Sequence, residues 1–246
     1  MRTDTTPSRN KILVTGANSG LGKFIASQID CDTLTRSNSH SFLGQVQVPS
    51  YDVIIHCAFN SKKDVKNYYD IVQDNIFLTK DLCQISHKKF VFLSSVDVYE
   101  EENNLYKTSK LMSESIVKNL ATKPLILRCS AILGKTMRKN NFRKIIEDDA
   151  PELSLTSGST FNYVLQEDIL EFINIAIQKD YTGIVDFISS TNITLQEISG
   201  LVRKQVRFGN YEYKTPKLSS EDLAAVFPKA ALSSKKNILR YLKDRK

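Results

Sequence analysis

The chain has 246 residues, of which 41% are hydrophobic and 25% charged, a balance typical of a globular protein that buries a substantial core. Disordered and collagen-like classes are excluded by this composition. No apolar run approaches the roughly 20 residues that span a bilayer, and residues 1–10 are polar. We therefore expect a cytoplasmic protein of one large or two small domains with a flexible tail at residues 1–10.

The formal net charge of +7 is concentrated near the end of the chain. Residues 229–246 contain seven cations and one acid, so they account for +6 and residues 1–228 for +1. A functional anion-binding surface is one interpretation of this segment. Aromatic residues are sparse there and no nucleic-acid-binding motif accompanies it, while cations near a helix C-terminus complement the helix dipole. We expect neither a nucleic-acid nor a membrane partner.

The four cysteines and three histidines do not form a recognisable metal or disulfide pattern. No CxxC or HxxxH spacing occurs, and zinc sites require such clustered ligands. The sequence predicts reduced, mostly buried thiols and no metal.

Short apolar runs alternate with helical patterns in the first half of the chain. Strands are predicted at Lys11–Thr15, Asp32–Arg36, Asp52–Cys57, Lys89–Ser95 and Pro124–Cys129. Helices are predicted at Phe24–Ile29, Asp64–Ser86 and Tyr106–Leu120. This alternation is typical of an α/β fold with a doubly wound parallel sheet.

The second half is less regular. It contains a predicted helix at Gln166–Ile177, a strand at Gly183–Ile188, a capping box at Thr194–Glu197 before a helix at Ile198–Arg203, and terminal helices at Ser219–Phe227 and Ser234–Lys243. Because no linker-like stretch separates the halves, we expect interleaved lobes. The predicted core comprises residues 11–131, to which 162–188 return, and residues 132–161 and 189–246 form a small substrate lobe.

A glycine-rich turn links the first strand to the first helix. Gly16, Gly20 and Gly22 provide a tight turn and a close backbone approach, and the helix N–H groups that follow favour a pyrophosphate. Any glycine-rich strand-to-helix turn matches this pattern, so the turn alone is a weak indication of a dinucleotide. Asn18, Ser19 and Leu21 complete the predicted phosphate-binding turn.

The second predicted strand ends in Arg36 and Ser37, where NAD-binding proteins usually have an acid. A guanidinium pairs in bidentate fashion with phosphate. These two residues therefore favour NADP over NAD through the 2′-phosphate. A solvated loop cation is the alternative interpretation of Arg36.

Tyr106 and Lys110 are four residues apart on a predicted helix. A phenol exchanges protons near neutral pH only when a nearby cation stabilises its phenolate. Tyr213 and Lys217 have the same spacing, but Pro216 interrupts any helix there. Tyr106 instead follows a strand that ends in two serines, and ligands of parallel sheets bind at the carboxyl ends of strands.

These motifs together resemble the short-chain dehydrogenase/reductase superfamily. TGANSGLG, VIIHCAF, a helix with Asp74 and Asn75, KFVFLSSVDVY, YKTSK and LRCSAILG occur in that order. FLSSVDVY, LILRCSAILG and FNYVLQEDIL are similar to its extended branch, the NAD(P)-dependent epimerases and dehydratases of nucleotide sugars. The resemblance implies a Rossmann-type fold with a small C-terminal substrate lobe.

The resemblance also implies roles for individual residues. Ser95 would hydrogen-bond the substrate oxygen, with Ser94 as second candidate. Tyr106 would be the general acid/base, and Lys110 would lower its pKa and bind the cofactor ribose. The implied cofactor-binding residues are Gly16, Asn18, Ser19, Gly20, Leu21, Gly22, Arg36, Ser37, Ala58 and Lys110. Asn75 lies where the family often has a structural or active-site asparagine.

The sequence departs from the extended branch in places. The glycine spacing is that of the single-domain branch, and Val96-Asp97 replaces the acidic pair of dehydratases. We therefore expect an NADP-dependent reductase or epimerase of a nucleotide-linked sugar, with homodimerisation as a further possibility. A non-catalytic dinucleotide sensor or scaffold is the alternative.

Three further residues lie outside these assignments. Arg138 and Lys139 either meet a substrate diphosphate or lie in a solvated loop. His56 is expected to be a strand residue near the cofactor.

Overall fold

The computed structural model describes residues 10–43, 48–61, 68–102 and 104–245. Apart from residue 10, the tail predicted from the sequence lies outside them. Six strands form the central sheet: β1 (Ile12–Thr15), β2 (Asp32–Leu34), β3 (Tyr51–His56), β4 (His87–Ser95), β5 (Pro124–Cys129) and β9 (Gly183–Phe187). Their order is β2-β1-β3-β4-β5-β9, and all neighbouring pairs are parallel. The predicted α/β fold with a Rossmann-type parallel sheet is confirmed.

Helices cover both faces of this sheet. They are α1 (Gly20–Gln28), α2 (Ser39–Leu43), α3 (Tyr68–Ile71), α4 (Leu78–Gln84), α5 (Leu105–Leu120) and α7 (Gln166–Gln178). Consecutive β1 residues face opposite layers, because side chains alternate along a strand. Val14 packs in the layer with α1 and α7, and Leu13 packs in the layer with α4 and α5.

A separate hydrophobic cluster surrounds two small sheets. The strands are β6 (Ala131–Leu133), which pairs with β8 (Tyr163–Leu165), and β7 (Thr160–Phe161), which pairs with β10 (Ile193–Thr194). The remaining helices are α6 (Asn141–Glu147), α8 (Leu195–Val202), α9 (Glu221–Val226) and α10 (Ser234–Asp244). Two 3-10 turns complete the described elements, at Val96–Tyr99 and Pro228–Ala231.

Several element boundaries differ from the sequence prediction. Strand β2 ends at Leu34, so Arg36 lies in the following turn. The helix predicted at Asp64–Ser86 is described from Tyr68 to Gln84, and its middle is a π-helix at Val72–Phe77. The capping box at Thr194 and Glu197 is present, but α8 begins at Leu195 directly after its cap.

The strand order places a switch point between β1 and β3. The chain leaves β1 towards β2 on one side and returns to β3 on the other, so a crevice opens at the carboxyl ends of β1 and β3. Gly16 and Ala58 lie at that edge. Across the described part of the chain, no helix has the length and apolarity needed to cross a membrane.

Candidate functional site

Two neighbouring cavities open at the carboxyl edge of the sheet. The larger has a volume of about 640 Å³ and is lined by the glycine turn, the residues after β2 and the π-helix. The smaller, about 260 Å³, is lined by Tyr106 and Lys110 among others. Ser19, Phe59 and Arg138 line both cavities. Most of the predicted cofactor-binding residues, together with Tyr106 and Lys110, therefore line one continuous region. Gly22, Ser37 and Ser95 line neither cavity.

The glycine turn has the backbone geometry that its sequence predicts. Gly16 and Gly20 have φ angles of +73° and +59°, values that favour glycine. A Cβ on Gly22 would lie 2.6 Å from the Gly16 carbonyl oxygen, and one on Gly16 would lie 2.8 Å from the Ala58 nitrogen. Any side chain at Gly16 or Gly22 would push α1, β1 and the residues after β3 apart.

The N-terminus of α1 faces the cavities without a side-chain cap. Ser19 is the N-cap residue, but its side chain makes no capping hydrogen bond, and the first turn contains no acid. Asn18 and Ser19 line the larger cavity, and Leu21 lines the smaller. This cradle of backbone N–H groups and small residues fits a dinucleotide diphosphate.

A buried hydrogen-bond chain fixes the backbone at Ala58. The Thr15 hydroxyl accepts the N–H groups of Cys57 and Ala58 and lies 2.7 Å from His56 Nδ1. His56 Nε2 lies 2.9 Å from the Thr79 hydroxyl. Burial lowers the pKa of His56 to about 3, so the ring is neutral at physiological pH. His56 is a structural residue beside the cavity.

Asn75 connects the π-helix to the segment after β3. Its Oδ1 accepts the Asn60 N–H at 2.7 Å, and its Nδ2 donates to the Asn60 carbonyl and the Ser109 hydroxyl. Asn75 is fully buried. These contacts join the π-helix, the segment after β3 and α5, and Asn60 itself lines the larger cavity.

Arg36 points across the mouth of the larger cavity to Asp74. Its Nη2 lies 2.5 Å from Asp74 Oδ2, which also accepts the Asn60 side-chain amide. The Arg36 side chain is 76% exposed. Ser37 Oγ lies 2.8 Å from Thr35 Oγ1 and is not among the residues lining the described cavities.

Ser95 and Tyr106 lie near one another at the end of β4. The Ser95 hydroxyl is close enough to the Tyr106 oxygen to favour its ionised form. Burial and the nearby Asp97 raise the pKa of Tyr106 above its ordinary value. This increase outweighs the lowering of the pKa by the Ser95 hydroxyl. Asp97 in turn accepts a hydrogen bond from the Tyr213 hydroxyl at 3.1 Å. A serine, a protonated phenol and a carboxylate thus lie at the end of β4.

Lys110 is buried and covered by an aromatic ring. Its Nζ donates to the Leu93 carbonyl at 2.5 Å and lies 3.6 Å from the centroid of the Phe59 ring. Phe59 also packs edge-to-face against Tyr106. Burial lowers the pKa of Lys110 to about 7. Phe59, which the sequence analysis did not single out, therefore lies over the lysine that the resemblance assigns to the ribose.

Ser94 has a different role from Ser95. It is buried and donates to Glu114 Oε1 at 2.6 Å. Glu114 forms an ion pair with Arg128 on the same side of the sheet. Ser94 therefore belongs to a packed polar network, and it also lines the smaller cavity with Tyr106, whereas Ser95 does not.

Arg138 and Lys139 are both exposed, but only Arg138 lines the cavities. Three of the cations of the C-terminal segment form ion pairs elsewhere: Arg240 with Asp168, Lys229 with Glu171 and Arg245 with Glu147. Within the described ranges, no group of three His, Cys, Asp or Glu side chains is arranged to hold a metal ion.

A family model supports the assignment suggested by this geometry. The model of the NAD dependent epimerase/dehydratase family matches residues 7–179. The chain belongs to this family. The match covers the glycine turn, Ser95, Tyr106 and Lys110, so the family resemblance described in the sequence analysis is confirmed. No curated protein sequence matches the chain.

Solved structures share the fold of this family member. dTDP-4-dehydrorhamnose reductase from Bacillus anthracis, in complex with NADP, has a TM-score of 0.80 and 18% identity, with 96% of this chain and 99% of that chain covered. UDP-glucuronic acid 4-epimerase from Bacillus cereus, in complex with UDP-glucuronic acid and NAD, has a TM-score of 0.69 and 16% identity, with 96% and 100% covered. RMD from Pseudomonas aeruginosa, complexed with NADPH, has a TM-score of 0.73 and 16% identity, with 95% and 99% covered.

Proposed function

We propose that this protein is an NADP-dependent oxidoreductase that reduces or epimerises the sugar of a nucleotide-linked sugar. The observation that carries the proposal is that Tyr106 and Lys110 line one cavity, with Ser95 near the Tyr106 oxygen. That cavity adjoins the glycine cradle, as hydride transfer to a bound sugar would require. Residues 132–161 and 189–246 would form the substrate lobe.

Tyr106 would act as the general acid/base at the sugar oxygen. Because the raised pKa keeps its phenol protonated at neutral pH, Tyr106 would donate a proton to an oxygen that gains negative charge. Ser95 would orient that oxygen through its hydroxyl. When bound, the nicotinamide cofactor would supply or take up the hydride. Lys110 would favour the phenolate only in its charged form, because its lowered pKa of about 7 leaves part of it neutral at neutral pH.

Replacing Tyr106 by phenylalanine tests this role. We expect Tyr106→Phe to lower turnover by about 10²- to 10⁴-fold, because the general acid is lost, while affinity for NADPH changes less than about twofold. Tyr211→Phe is the matched control, since the Tyr211 side chain is 62% exposed. Turnover is measured with dTDP-4-dehydrorhamnose and UDP-linked sugars. Equal turnover in both variants would remove Tyr106 from the mechanism.

Arg36 and Ser37 would bind the 2′-phosphate of NADP. Arg36 lines the larger cavity and would exchange its Asp74 partner for the phosphate. We expect Arg36→Ala to raise the Kd of NADP about tenfold to a hundredfold, as for the loss of a charge-assisted hydrogen bond, and to leave that of NAD unchanged. Asp74→Asn is the complementary variant and should strengthen NADP binding. Equal losses for NADP and NAD in Arg36→Ala would contradict this assignment.

A non-catalytic dinucleotide-binding role is the second candidate. It is favoured by the position of Phe59, whose ring covers Lys110 at 3.6 Å. Such a protein would bind NADPH but turn over no nucleotide sugar in the assay above. Under the leading proposal, Phe59→Ala exposes Lys110 and retains or increases turnover.

We also propose that the protein forms a homodimer. On α5, Leu111, Met112 and Leu120 are 40%, 50% and 51% exposed, and a homodimer contact would cover some of this apolar surface. Light scattering after size exclusion should give about twice the chain mass. Leu111→Glu should give the mass of one chain; an unchanged mass would place any interface elsewhere.

A further inference from the structure

A loop between β6 and α6 reaches back onto the glycine turn. The Thr136 hydroxyl donates to the Gly20 carbonyl at 2.7 Å and also contacts the Gln166 side chain. Through this contact the loop is anchored to the first residue of α1. Residues 134–138 thus belong to the small lobe by sequence, yet they lie at the phosphate-binding turn.

Arg138 extends from this anchored loop across the crevice. A methyl group placed on Gly20 would lie 3.6 Å from Arg138 Nε. On the opposite wall, Arg138 Nη1 lies 3.4 Å from the Ser61 hydroxyl, just after β3. The guanidinium therefore bridges the two sides of the crevice directly above the glycine turn.

The position of Arg138 is also where the two cavities meet. It lines the larger cavity with the residues after β2 and the smaller one with Tyr106 and Lys110. A dinucleotide with one half in each cavity would pass its diphosphate through the shared boundary, which is formed by Ser19, Phe59 and Arg138.

Arg138 places a positive charge at the boundary between the two cavities. Among the residues that the structure describes, Arg138 forms no ion pair with a carboxylate, whereas Arg36 at the far end of the larger cavity does. An exposed cation held over Gly20 suits an anion that has two phosphates, since a guanidinium offers several N–H donors in a fixed plane.

We propose that Arg138 is a direct ligand of the cofactor diphosphate and that it couples the small lobe to the bound nucleotide. This inference rests on the proposed dinucleotide-binding function. A substrate diphosphate has the same chemistry, but the contact with Gly20 places Arg138 on the cofactor turn. Lys139, its neighbour, lines neither cavity.

Nucleotide titrations of four proteins test the proposal: wild type, Arg138→Ala, Arg138→Lys and Lys139→Ala. NADPH is followed by its fluorescence; ADP, adenosine 2′-phosphate and UDP are followed by calorimetry. In Arg138→Ala we expect the Kd of NADPH and ADP to rise about tenfold to a hundredfold, as for the loss of a charged hydrogen bond. The Kd of adenosine 2′-phosphate, which has no 5′-diphosphate, should stay unchanged. Arg138→Lys should bind NADPH and ADP more tightly than Arg138→Ala but less tightly than the wild type. Lys139→Ala should bind both with the affinity of the wild type.

The outcomes separate this inference from the proposed function. If the wild type binds neither NADPH nor ADP, both fail. If the wild type binds them and Arg138→Ala binds equally well, the inference on Arg138 alone is overturned. If Arg138→Ala loses affinity for UDP and not for ADP, the residue serves the substrate diphosphate and the inference is wrong. Thermal unfolding of each variant checks that an exposed substitution leaves the fold intact.

Discussion

Lys110 shows how much a single residue depends on its surroundings. The four-residue spacing from Tyr106 places it on the same helix face, and that much is evident from the sequence. Its burial is not, because the Phe59 ring that covers it comes from a segment 51 positions earlier. The consequence is a lysine whose pKa is lowered to about 7 by desolvation.

This burial predicts a pH-dependent stability. An unfolded lysine titrates near pH ~10.4, whereas Lys110 in the folded protein titrates near 7. Between these pH values the unfolded chain binds one more proton, so Lys110 makes the free energy of unfolding rise with pH by at most about 1.4 kcal/mol per unit. Lys110→Met should remove that part of the slope between pH 7 and 10.

Urea unfolding at pH 7, 8, 9 and 10 measures the effect. Lys118→Met is the control, because Lys118 is an exposed lysine on the same helix. It should retain the wild-type slope. If Lys110→Met and the wild type instead change in parallel across this range, Lys110 titrates normally and its burial has no energetic consequence.

The π-helix is the element that sequence reasoning describes least well. Apolar spacing predicts a helix through this region, and the structure has one, but its middle turn at Val72–Phe77 is widened. Periodicity does not reveal the widening, which coincides with the long-range contacts that Asn75 makes with Asn60 and Ser109. π-turns inside helices frequently occur at functional sites.

We expect Asn75→Ala to destabilise the protein by about 1–3 kcal/mol, because the half-buried Asn60 N–H loses the acceptor that the fully buried Asn75 provides. The Kd of NADPH should also rise severalfold, since residues 58–60 line the larger cavity. Chemical denaturation and fluorescence titration give the two values.

Asn119→Ala provides a matched comparison for Asn75→Ala. Asn119 is exposed, and its side chain donates only to the Ser115 carbonyl. Its replacement should change stability by less than about 0.5 kcal/mol and leave the Kd unchanged. A loss of stability in Asn75→Ala without any change in the Kd would mean that the π-helix supports the fold alone and not the cavity.

At the scale of the whole molecule, the sequence predicts the central sheet but not the long-range side-chain contacts around it. Buried strands alternating with helices predict a parallel sheet, and the ordered motifs locate the glycine turn and Tyr106 at its carboxyl edge. Tyr213 shows what sequence patterns do not predict. Its local sequence excludes a catalytic helix, yet long-range packing brings its hydroxyl to Asp97, beside Tyr106. Such a contact has no local sequence signal.

The distribution of charge is likewise evident from the sequence, whereas the contacts of the charged residues are not. The sequence locates +6 in residues 229–246, and the structure shows what several of these cations contact. Arg240 on α10 donates two hydrogen bonds to the Asp168 carboxylate on α7, at 2.6 and 2.8 Å. Asp168 is only 5% exposed. Part of the positive charge of residues 229–246 is thus neutralised by an ion pair that holds α10 against α7.

This ion pair leads to a prediction about stability. Arg240→Ala would leave a buried carboxylate without its bidentate partner, and loss of one member of a buried pair typically costs about 3–5 kcal/mol. Because Arg240 is 34% exposed and Lys229 lies 3.8 Å from Asp168, we expect a smaller loss of about 2 kcal/mol. Lys243→Ala removes the same charge from an exposed position on α10 and should cost less than about 0.5 kcal/mol. Urea denaturation at neutral pH measures both. Equal, small losses would mean that the pair contributes nothing and that the basic segment is free for another partner.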